Sequence, residues 1–204
     1  MSIAADKAGV RAAALACRAA QGPAVRAALA QALVAAALPA ARRSPAPRPI
    51  VSVFLPIRDE PDTRPLLAAL AEAGFATALP VTPPRGQPLR FRAWRIGESL
   101  AAGRFGTAEP PPESPEREPD LLFVPLAAFD RRGFRLGYGA GYYDGALERL
   151  RRSKSVLAVG VAFAAQEVAR VPTEPHDQRL DALVTEHGLI TFGTAPCASS
   201  SSAT

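Results

Sequence analysis

The sequence predicts an α/β fold of the Rossmann-like, three-layer kind, in which a mainly parallel sheet carries helices on both faces. Short β-branched runs alternate with helical segments along the chain. One β-α-β unit is formed by a strand at 50–55, a helix at 63–73 and a strand at 75–79. Strands joined through a helix run parallel, and a parallel sheet is buried on both faces. The 204 residues, 48% of them hydrophobic, suffice for one such core.

Two N-terminal helices that pack on the sheet are predicted over residues 3–38. Apolar side chains recur there at helical spacing among alanines, which have the highest helix propensity. Gly22-Pro23 divides the two helices, and a proline is well placed in a first helical turn. The proline- and arginine-rich segment 40–49 is predicted to be an exposed connector.

The remaining elements follow from the same patterns. Further strands are predicted at 89–95, 121–124, 156–161 and 182–185, and a further helix at 141–151. Segment 109–119 contains five prolines and is predicted to be a solvent-exposed loop. We expect a single domain over 1–193 and a disordered, serine-rich tail over 194–204.

Composition narrows the class of protein. The net charge is +5, but the arginines are spread along the chain without interleaved aromatic residues, so we expect no nucleic-acid partner. Two cysteines, Cys17 and Cys197, support neither a disulfide framework nor a metal cluster. The apolar stretch 27–41 is interpreted as too short and too weakly apolar to cross a membrane, and the N-terminus does not resemble a secretory signal. We therefore expect a cytoplasmic protein.

The glycine-rich run 135–144, which follows the strand at 121–124, is the candidate functional loop. Gly137, Gly139 and Gly141 stand at alternate positions, so the backbone can approach an anion closely and direct N–H groups at it. The following helix adds the positive end of its dipole. The run lacks the lysine of a Walker loop, and the next strand lacks the terminal acid of a dinucleotide site. We predict a loop for the phosphates of ATP, with a simple tight turn as the alternative.

A longer stretch around this loop resembles a known family. Asp120-Leu121-Leu122-Phe123-Val124-Pro125, Phe129-Asp130 and the run 135–144 resemble the signature of the 5-formyltetrahydrofolate cyclo-ligases, also called 5,10-methenyltetrahydrofolate synthetases. Other segments agree in the same order: Lys7-x-x-x-Arg11, Leu55, Asp59-Glu60, 105–110, His176-Asp177, Leu180-Asp181 and 184–186.

The resemblance implies an ATP- and Mg²⁺-dependent ring closure. In this reaction 5-formyltetrahydrofolate becomes 5,10-methenyltetrahydrofolate, and ADP and phosphate are released. Phosphorylation of the formyl oxygen makes that oxygen a good leaving group, after which N10 attacks the formyl carbon. Such a transfer depends on positioning and on neutralisation of charge, so glycine-loop amides, cationic side chains and a metal ion are expected.

The resemblance also implies roles for individual residues. The catalytic cations are Lys7, Arg11 and Arg135, and the ATP contacts are these three with Leu136, Gly137, Tyr138, Gly139, Ala140, Gly141, Tyr142 and Tyr143. The folate contacts are Arg11, Leu55, Glu60, Trp94, Tyr138, Gly139, Ala140, Gly141 and Tyr142. The magnesium ligands are Asp144 and Asp181, which offer the oxygen ligands that Mg²⁺ prefers.

Several of these residues have a plain structural alternative. Lys7 and Arg11, four residues apart on a helix, form an exposed pair by pattern alone. Glu60 reads as a surface loop acid, Trp94 as a core residue and Asp144 as a first-turn helix residue. His176 is interpreted as part of a turn, and no general base is assigned.

The chain departs from the family pattern inside and after the loop. Ala140 replaces a glycine or lysine, and Gly145 stands where arginine is common. The expected partners are MgATP and reduced folate, polyglutamylated forms included, and we expect a monomer without a membrane partner. Two alternatives stay open: a divergent member that binds ATP but acts on another substrate or as a regulator, and a nucleic-acid-binding module suggested only by the basic pI.

Overall fold

The computed structural model describes residues 3–193, so the predicted tail 194–204 and Cys197 lie outside the described residues. The helices are α1 (Ile3–Ala19), α2 (Pro23–Arg42), α3 (Arg64–Glu72) and α4 (Tyr142–Ser153). The strands are β1 (Ile50–Ser52), β2 (Ala76–Val81), β3 (Arg90–Ala93), β4 (Ala101–Ala102), β5 (Ala108–Glu109), β6 (Leu121–Pro125), β7 (Ala128–Phe129), β8 (Arg135–Leu136), β9 (Leu157–Val161), β10 (Ala182–Thr185) and β11 (Gly188–Thr191).

The predicted α/β fold class is confirmed. A seven-stranded sheet has the order β11-β10-β9-β6-β1-β2-β3. Its five inner strands are parallel, and the edge strands β3 and β11 pair antiparallel with β2 and β10. Strand β11 is not among the predicted strands, because its four residues contain only two apolar side chains, Leu189 and Ile190, and form no buried apolar run.

Helices cover both faces of the sheet, as predicted. In β6, Leu121 and Phe123 point to one face, where α2 and α3 pack on them. Leu122 and Val124 point to the opposite face, which Leu147 of α4 helps to cover. This alternation follows from the period of two along a strand. Because both faces are covered, polar groups of the chain can contact a ligand at the ends of the strands.

Helix α1 packs at one end of the sheet instead of on a face. Its Ala14 joins a small apolar cluster with Ala128 of β7, Leu136 of β8 and Val171. Of the two N-terminal helices predicted to pack on the sheet, α2 thus packs on a face and α1 beyond the strand ends. This position also places a polar face of α1 beside the glycine-rich run, whose first two residues form β8.

Helix α2 is longer than predicted. It continues through Pro39 to Arg42, because Ala40 and Ala41 are buried in the core and this burial offsets the cost of a proline inside a helix. Segment 40–49 is therefore not exposed throughout.

With 20 residues and a mean hydropathy of 1.6, α2 also has the length and composition of a membrane span, contrary to the prediction that this apolar stretch is too short and too weakly apolar. In the fold it packs Leu29 and Leu33 against the sheet.

The proline-rich segment 109–119 is more ordered than predicted. Glu109 is buried and belongs to β5, which pairs with β4. Further along, the backbone of Arg117 donates to Phe91 of the edge strand β3 at 2.8 Å, and Glu116 forms a bridge with Arg92. The prediction of an irregular exposed loop is thus wrong at Glu109, and the segment covers part of the sheet edge.

Candidate active site

A cavity of about 470 Å³ lies at the carboxyl edge of the parallel strands. Leu55, just after β1, and Pro125, the last residue of β6, both line it. Parallel strands end at the same edge of a sheet, and ligands of open α/β sheets bind in the crevice outside that edge. The cavity size is typical of a site for a small organic molecule.

The glycine-rich run forms one wall of this cavity. Residues 137–144 all line it. Gly139 and Gly141 have φ angles of 99° and 68°, which glycine adopts without strain. Gly141 immediately precedes α4 and offers no side-chain cap, so the first N–H groups of the helix remain for a ligand. The predicted succession of strand, glycine-rich loop and helix is present, and its binding of an anion stays a prediction.

Leu136 is the member of the predicted loop that does not line the cavity. Its side chain is 4% exposed and packs against Ala14 and Ala128. The alternating direction of side chains along β8 explains the difference, since Arg135 faces the cavity and Leu136 faces the apolar cluster.

Arg135 lines the cavity as a buried cation. Its Nη2 donates to Oδ1 of Asp144 at 2.9 Å, and its Nη1 donates to the carbonyl of Gln178 at 2.6 Å. Burial lowers the pKa of Arg135, and the Asp144 carboxylate opposes that shift. The guanidinium is thus fixed before any ligand arrives, at a position where it can neutralise an anion.

Asp144, in the first turn of α4, is held on one oxygen. Its Oδ1 accepts both the Arg135 bond and a bond from the backbone N–H of Gln178, each 2.9 Å long. Because both bonds go to Oδ1, the second carboxylate oxygen is the one that a cation in the cavity could reach. Asp144 is therefore more than a first-turn residue favoured by the helix dipole.

A second charged cluster lines the cavity beside Tyr138 of the glycine loop. Glu60 is 6% exposed and accepts a hydrogen bond from the hydroxyl of Tyr138 and another, 3.0 Å long, from the backbone N–H of Ile57. Arg18 donates to the same tyrosine hydroxyl and forms two hydrogen bonds, of 3.1 and 2.8 Å, with Asp59. Glu60 is thus a buried acceptor within the site, not a surface loop acid.

Burial governs the titration of this cluster. It raises the pKa of Glu60, while the bonds from Tyr138 and Ile57 act in the opposite direction. Burial, together with the Glu60 carboxylate, also raises the pKa of the Tyr138 hydroxyl. Tyr138 is therefore a neutral donor to Glu60, although 45% of the residue surface is exposed.

Arg18 lines the cavity and is 3% exposed, although it is not among the predicted site residues. A usable signal was present, because Lys7, Arg11 and Arg18 lie at positions i, i+4 and i+11 and so share one face of α1. That face is turned toward the glycine loop, since Arg11 donates to the carbonyl of Gly137 at 2.8 Å. Arg11 and Arg18 are therefore brought together at the loop as a pair of cations.

Lys7 is neither an exposed residue nor part of the cavity lining. Its ammonium lies 2.8 Å from Glu174 and 2.8 Å from Asp177. His176, between these two acids, is mostly exposed and 3.7 Å from Asp177, which agrees with a turn residue. The prediction that Lys7 contacts ATP would require it to exchange these partners for phosphate.

Two other predicted residues lie away from the cavity. Trp94 is 7% exposed, belongs to the hydrophobic core and donates to the carbonyl of Glu98 at 3.2 Å. Asp181 stands at the start of β10, beside the amino end of β9, where its Oδ2 accepts from Arg151 and from the backbone of Ala158. Because parallel strands have their amino ends at the edge opposite the cavity, Asp181 is not brought to Asp144.

The cavity also contains two strained residues that the sequence did not indicate as site residues. Within residues 3–193, Arg58 and Phe105 are the non-glycine residues with a positive φ, at 53° and 59°. Both line the cavity, and Phe105 is 71% exposed. Left-handed backbone in such residues is retained mainly at functional sites.

Together, the covered parallel sheet, the glycine-rich loop and the cavity at the strand ends are typical of α/β enzymes that act on small molecules. Comparison with known proteins narrows this class. The model of the 5-formyltetrahydrofolate cyclo-ligase family matches residues 3–186. The chain belongs to this family, and the resemblance stated from the sequence is confirmed.

Individual relatives agree with the family. The 5-formyltetrahydrofolate cyclo-ligase of Mycolicibacterium smegmatis is 35% identical over 143 residues, which cover 66% of this chain and 72% of the relative. That of Escherichia coli is 37% identical over 140 residues, 66% of this chain and 76% of the relative. The NMR structure of Aquifex aeolicus 5,10-methenyltetrahydrofolate synthetase is similar with a TM-score of 0.72 and 27% identity, covering 94% of this chain and 95% of that one.

We expect Glu60→Gln to stabilise the fold at neutral pH. Because burial raises the pKa of Glu60 above its usual 4.5, the folded state binds the proton more tightly than the unfolded chain does. The ionised carboxylate therefore costs stability, and this cost grows as the pH rises from the unfolded pKa to the raised folded pKa. Removing the charge should raise the free energy of unfolding by roughly 1 kcal/mol near neutral pH.

Urea unfolding of both proteins over a range of pH measures this effect, with Glu113→Gln, at an exposed position, as the control. The gain should shrink as the pH falls toward the usual pKa of 4.5. A Glu60→Gln variant that is less stable than the parent at neutral pH contradicts the interpretation.

Proposed function

We propose that the chain catalyses the ATP-dependent cyclisation of 5-formyltetrahydrofolate to 5,10-methenyltetrahydrofolate. One observation carries the proposal: a single cavity is lined by the glycine-rich loop with Arg135 and by the buried acceptor Glu60, which is hydrogen bonded to Tyr138 of that loop. A phosphate donor and a ring with N–H donors can therefore meet in one cavity. Family membership supports the same reaction.

The formyl group is the chemical obstacle in this reaction. The lone pair of N5 is delocalised into the formyl carbonyl, so the carbon is a poor electrophile. Transfer of the γ-phosphoryl group to the formyl oxygen forms a new P–O bond and releases ADP. N10 then attacks the carbon, the C–O bond breaks and phosphate leaves with the former formyl oxygen. The proton of N10 is lost to phosphate or water.

The cations around the loop supply the neutralisation of charge that this transfer needs. Arg135 is fixed by Asp144 and Gln178, so it requires little reorganisation when a phosphoryl group arrives. Arg11 lies against the loop. Its Nη2 would be 3.5 Å from a Cβ atom placed on Gly139, so the guanidinium is in contact range of this glycine. The backbone N–H groups at the start of α4 add further donors.

Glu60 is the proposed acceptor for N–H groups of the pterin ring. Its Oε1 is bonded to the Tyr138 hydroxyl, and Arg18 holds that hydroxyl on its other side. A ring that donates to Glu60 would therefore share or replace the bond from Tyr138. Because Tyr138 belongs to the glycine loop, this exchange would link the folate side of the cavity to the phosphate side.

Asp144 is the residue that fits Mg²⁺. Its carboxylate lines the cavity, and one oxygen remains beyond the two bonds to Oδ1. A Mg²⁺ ion held by this oxygen would neutralise phosphate charge in the cavity. Asp181 does not fit the same site in this conformation, because it does not line the cavity and lies beside the amino end of β9, at the opposite edge of the sheet.

We also propose that the substrate includes polyglutamylated reduced folate and that the enzyme acts as a monomer in the cytoplasm. Two exposed arginines, Arg58 and Arg85, line the cavity and could receive carboxylates of a glutamate tail. Cys17 is an exposed free thiol, which suits a reducing compartment.

The proposed reaction predicts a direct optical signal. Purified protein with 5-formyltetrahydrofolate, ATP and Mg²⁺ should show rising absorbance from the methenyl product, because ring closure extends the conjugation. Omission of ATP should abolish the rise. Folded protein that gives no rise over a range of pH, while a relative from Escherichia coli does so in parallel, would refute the proposed function.

We expect Asp144→Asn to lower kcat by roughly 100-fold, because it removes the carboxylate that fixes Arg135 and faces the phosphate side of the cavity. Steady-state kinetics with saturating substrates measures this change. Glu148→Gln, one turn further along α4 and mostly exposed, is the matched control and should retain its turnover. Equal kcat values for the two variants would exclude the proposed role.

We expect Phe105→Ala to raise the KM for folate by about tenfold, because the exposed ring lines the cavity and offers a face on which a pterin or aminobenzoyl ring can stack. The KM for ATP should stay close to the parent value. Ile96→Ala removes a similarly exposed apolar side chain outside the cavity lining and serves as the control. A rise in the KM for ATP instead would assign Phe105 to the nucleotide.

A further inference from the structure

The hairpin that carries Phe105 is too small to hold its own position. It consists of β4 and β5, two residues each, paired at Ala101 with Glu109 and at Ala102 with Ala108. Isolated two-stranded hairpins are marginal even when they are longer. Phe105, at its tip, nevertheless adopts a left-handed backbone and lines the cavity. Something outside the hairpin must therefore fix it.

Glu109 provides that attachment. Its Oε1 accepts a 3.1 Å hydrogen bond from the backbone N–H of Thr82 and lies 2.7 Å from the hydroxyl of Thr107, which shares its proton between Glu109 and the carbonyl of Arg104, also 2.7 Å away. Thr82 directly follows β2, at the carboxyl edge of the sheet, and both threonines line the cavity. The carboxylate thus ties the hairpin to the end of a sheet strand.

The burial of Glu109 distinguishes it from its neighbours. It is 7% exposed, whereas Glu113, Glu116 and Glu118 in the same segment are exposed. A buried carboxylate is costly unless it is well paired, so its position requires the two donors. Gly103 makes room for it, because a Cβ at that position would lie 2.3 Å from the Glu109 carboxyl carbon.

We infer that Glu109 is a positioning residue that fixes the Phe105 wall of the cavity and thereby sets the affinity for folate. It does not line the cavity itself and acts through Phe105, with the Thr107 hydroxyl as one of its contacts in the hairpin. Its role in folate affinity rests on the proposed function, whereas its role in ordering the hairpin does not. The phosphate side of the cavity is formed by the glycine loop, so binding of ATP is expected to be independent of Glu109.

Steady-state kinetics tests the role in affinity. Glu109→Ala is expected to raise the KM for folate about tenfold, with kcat and the KM for ATP within about twofold of the parent. Glu109→Gln keeps an acceptor oxygen for Thr82 and should restore the KM to within about threefold. Glu113→Ala, exposed in the same segment, is the matched control. A folded Glu109→Ala variant with unchanged KM for folate overturns the inference.

A double variant separates this role from a general structural one. If Glu109 acts through Phe105, the Phe105→Ala and Glu109→Ala double variant should have the same KM for folate as Phe105→Ala alone. A double variant whose KM rises by the product of the two single effects overturns the inference.

Hydrogen exchange tests the attachment without any need for activity. The amides of Thr82 and of residues 101–109 should exchange faster in Glu109→Ala, by about tenfold, while those of α4 stay as in the parent. Unchanged exchange overturns the inference. A parent protein without turnover would refute the proposed function and leave this measurement decisive. Should Glu109→Ala not fold, Thr107→Val removes one of the two contacts and is expected to speed exchange in the same segment; KM is left out of this comparison because Thr107 itself lines the cavity.

Discussion

The burial of a parallel sheet on both faces is the constraint on which the rest of the structure depends. With α2 and α3 on one face and α4 on the other, polar groups can reach a ligand only where the strands end. The carboxyl ends meet at one edge, and the loops that leave there bring distant segments together. Tyr138 thus contacts Glu60, 78 residues away, and Arg18, 120 residues away. The topology of the sheet therefore brings the site residues together from distant parts of the sequence.

Buried charge is the second feature that organises the site. Arg18 and Arg135 are 3% and 7% exposed, and each is paired with a carboxylate, Asp59 and Asp144 respectively. Such burial costs solvation free energy, so the pairs hold only in well-defined geometry. The cations therefore stand in place before substrate arrives, which is the arrangement that favours stabilisation of developing charge. Glu60 is less fully compensated, as its raised pKa indicates.

Backbone conformation completes the site. Gly139 and Gly141 take positive φ angles in the loop, with Ala140 between them as part of the cavity wall. Arg58 and Phe105 take similar angles at a cost of about 1 kcal/mol each, because their Cβ atoms crowd the backbone. Relaxed and strained positive-φ residues thus surround the same cavity. The fold supports the strained positions through contacts such as that of Glu109 with Thr82.

The sequence by itself determined the α/β class, the positions of the inner strands and the place of the glycine-rich loop at 135–144, since these follow from periodicity and glycine spacing among neighbouring residues. It also carried the motif that identified the family. Only the tertiary structure decided that Arg18 belongs to the site, that Trp94 is a core residue, that Asp181 lies at the opposite edge and that Glu109 is buried. These outcomes depend on which segments pack together across the sheet, and packing between distant segments has no local pattern in the sequence.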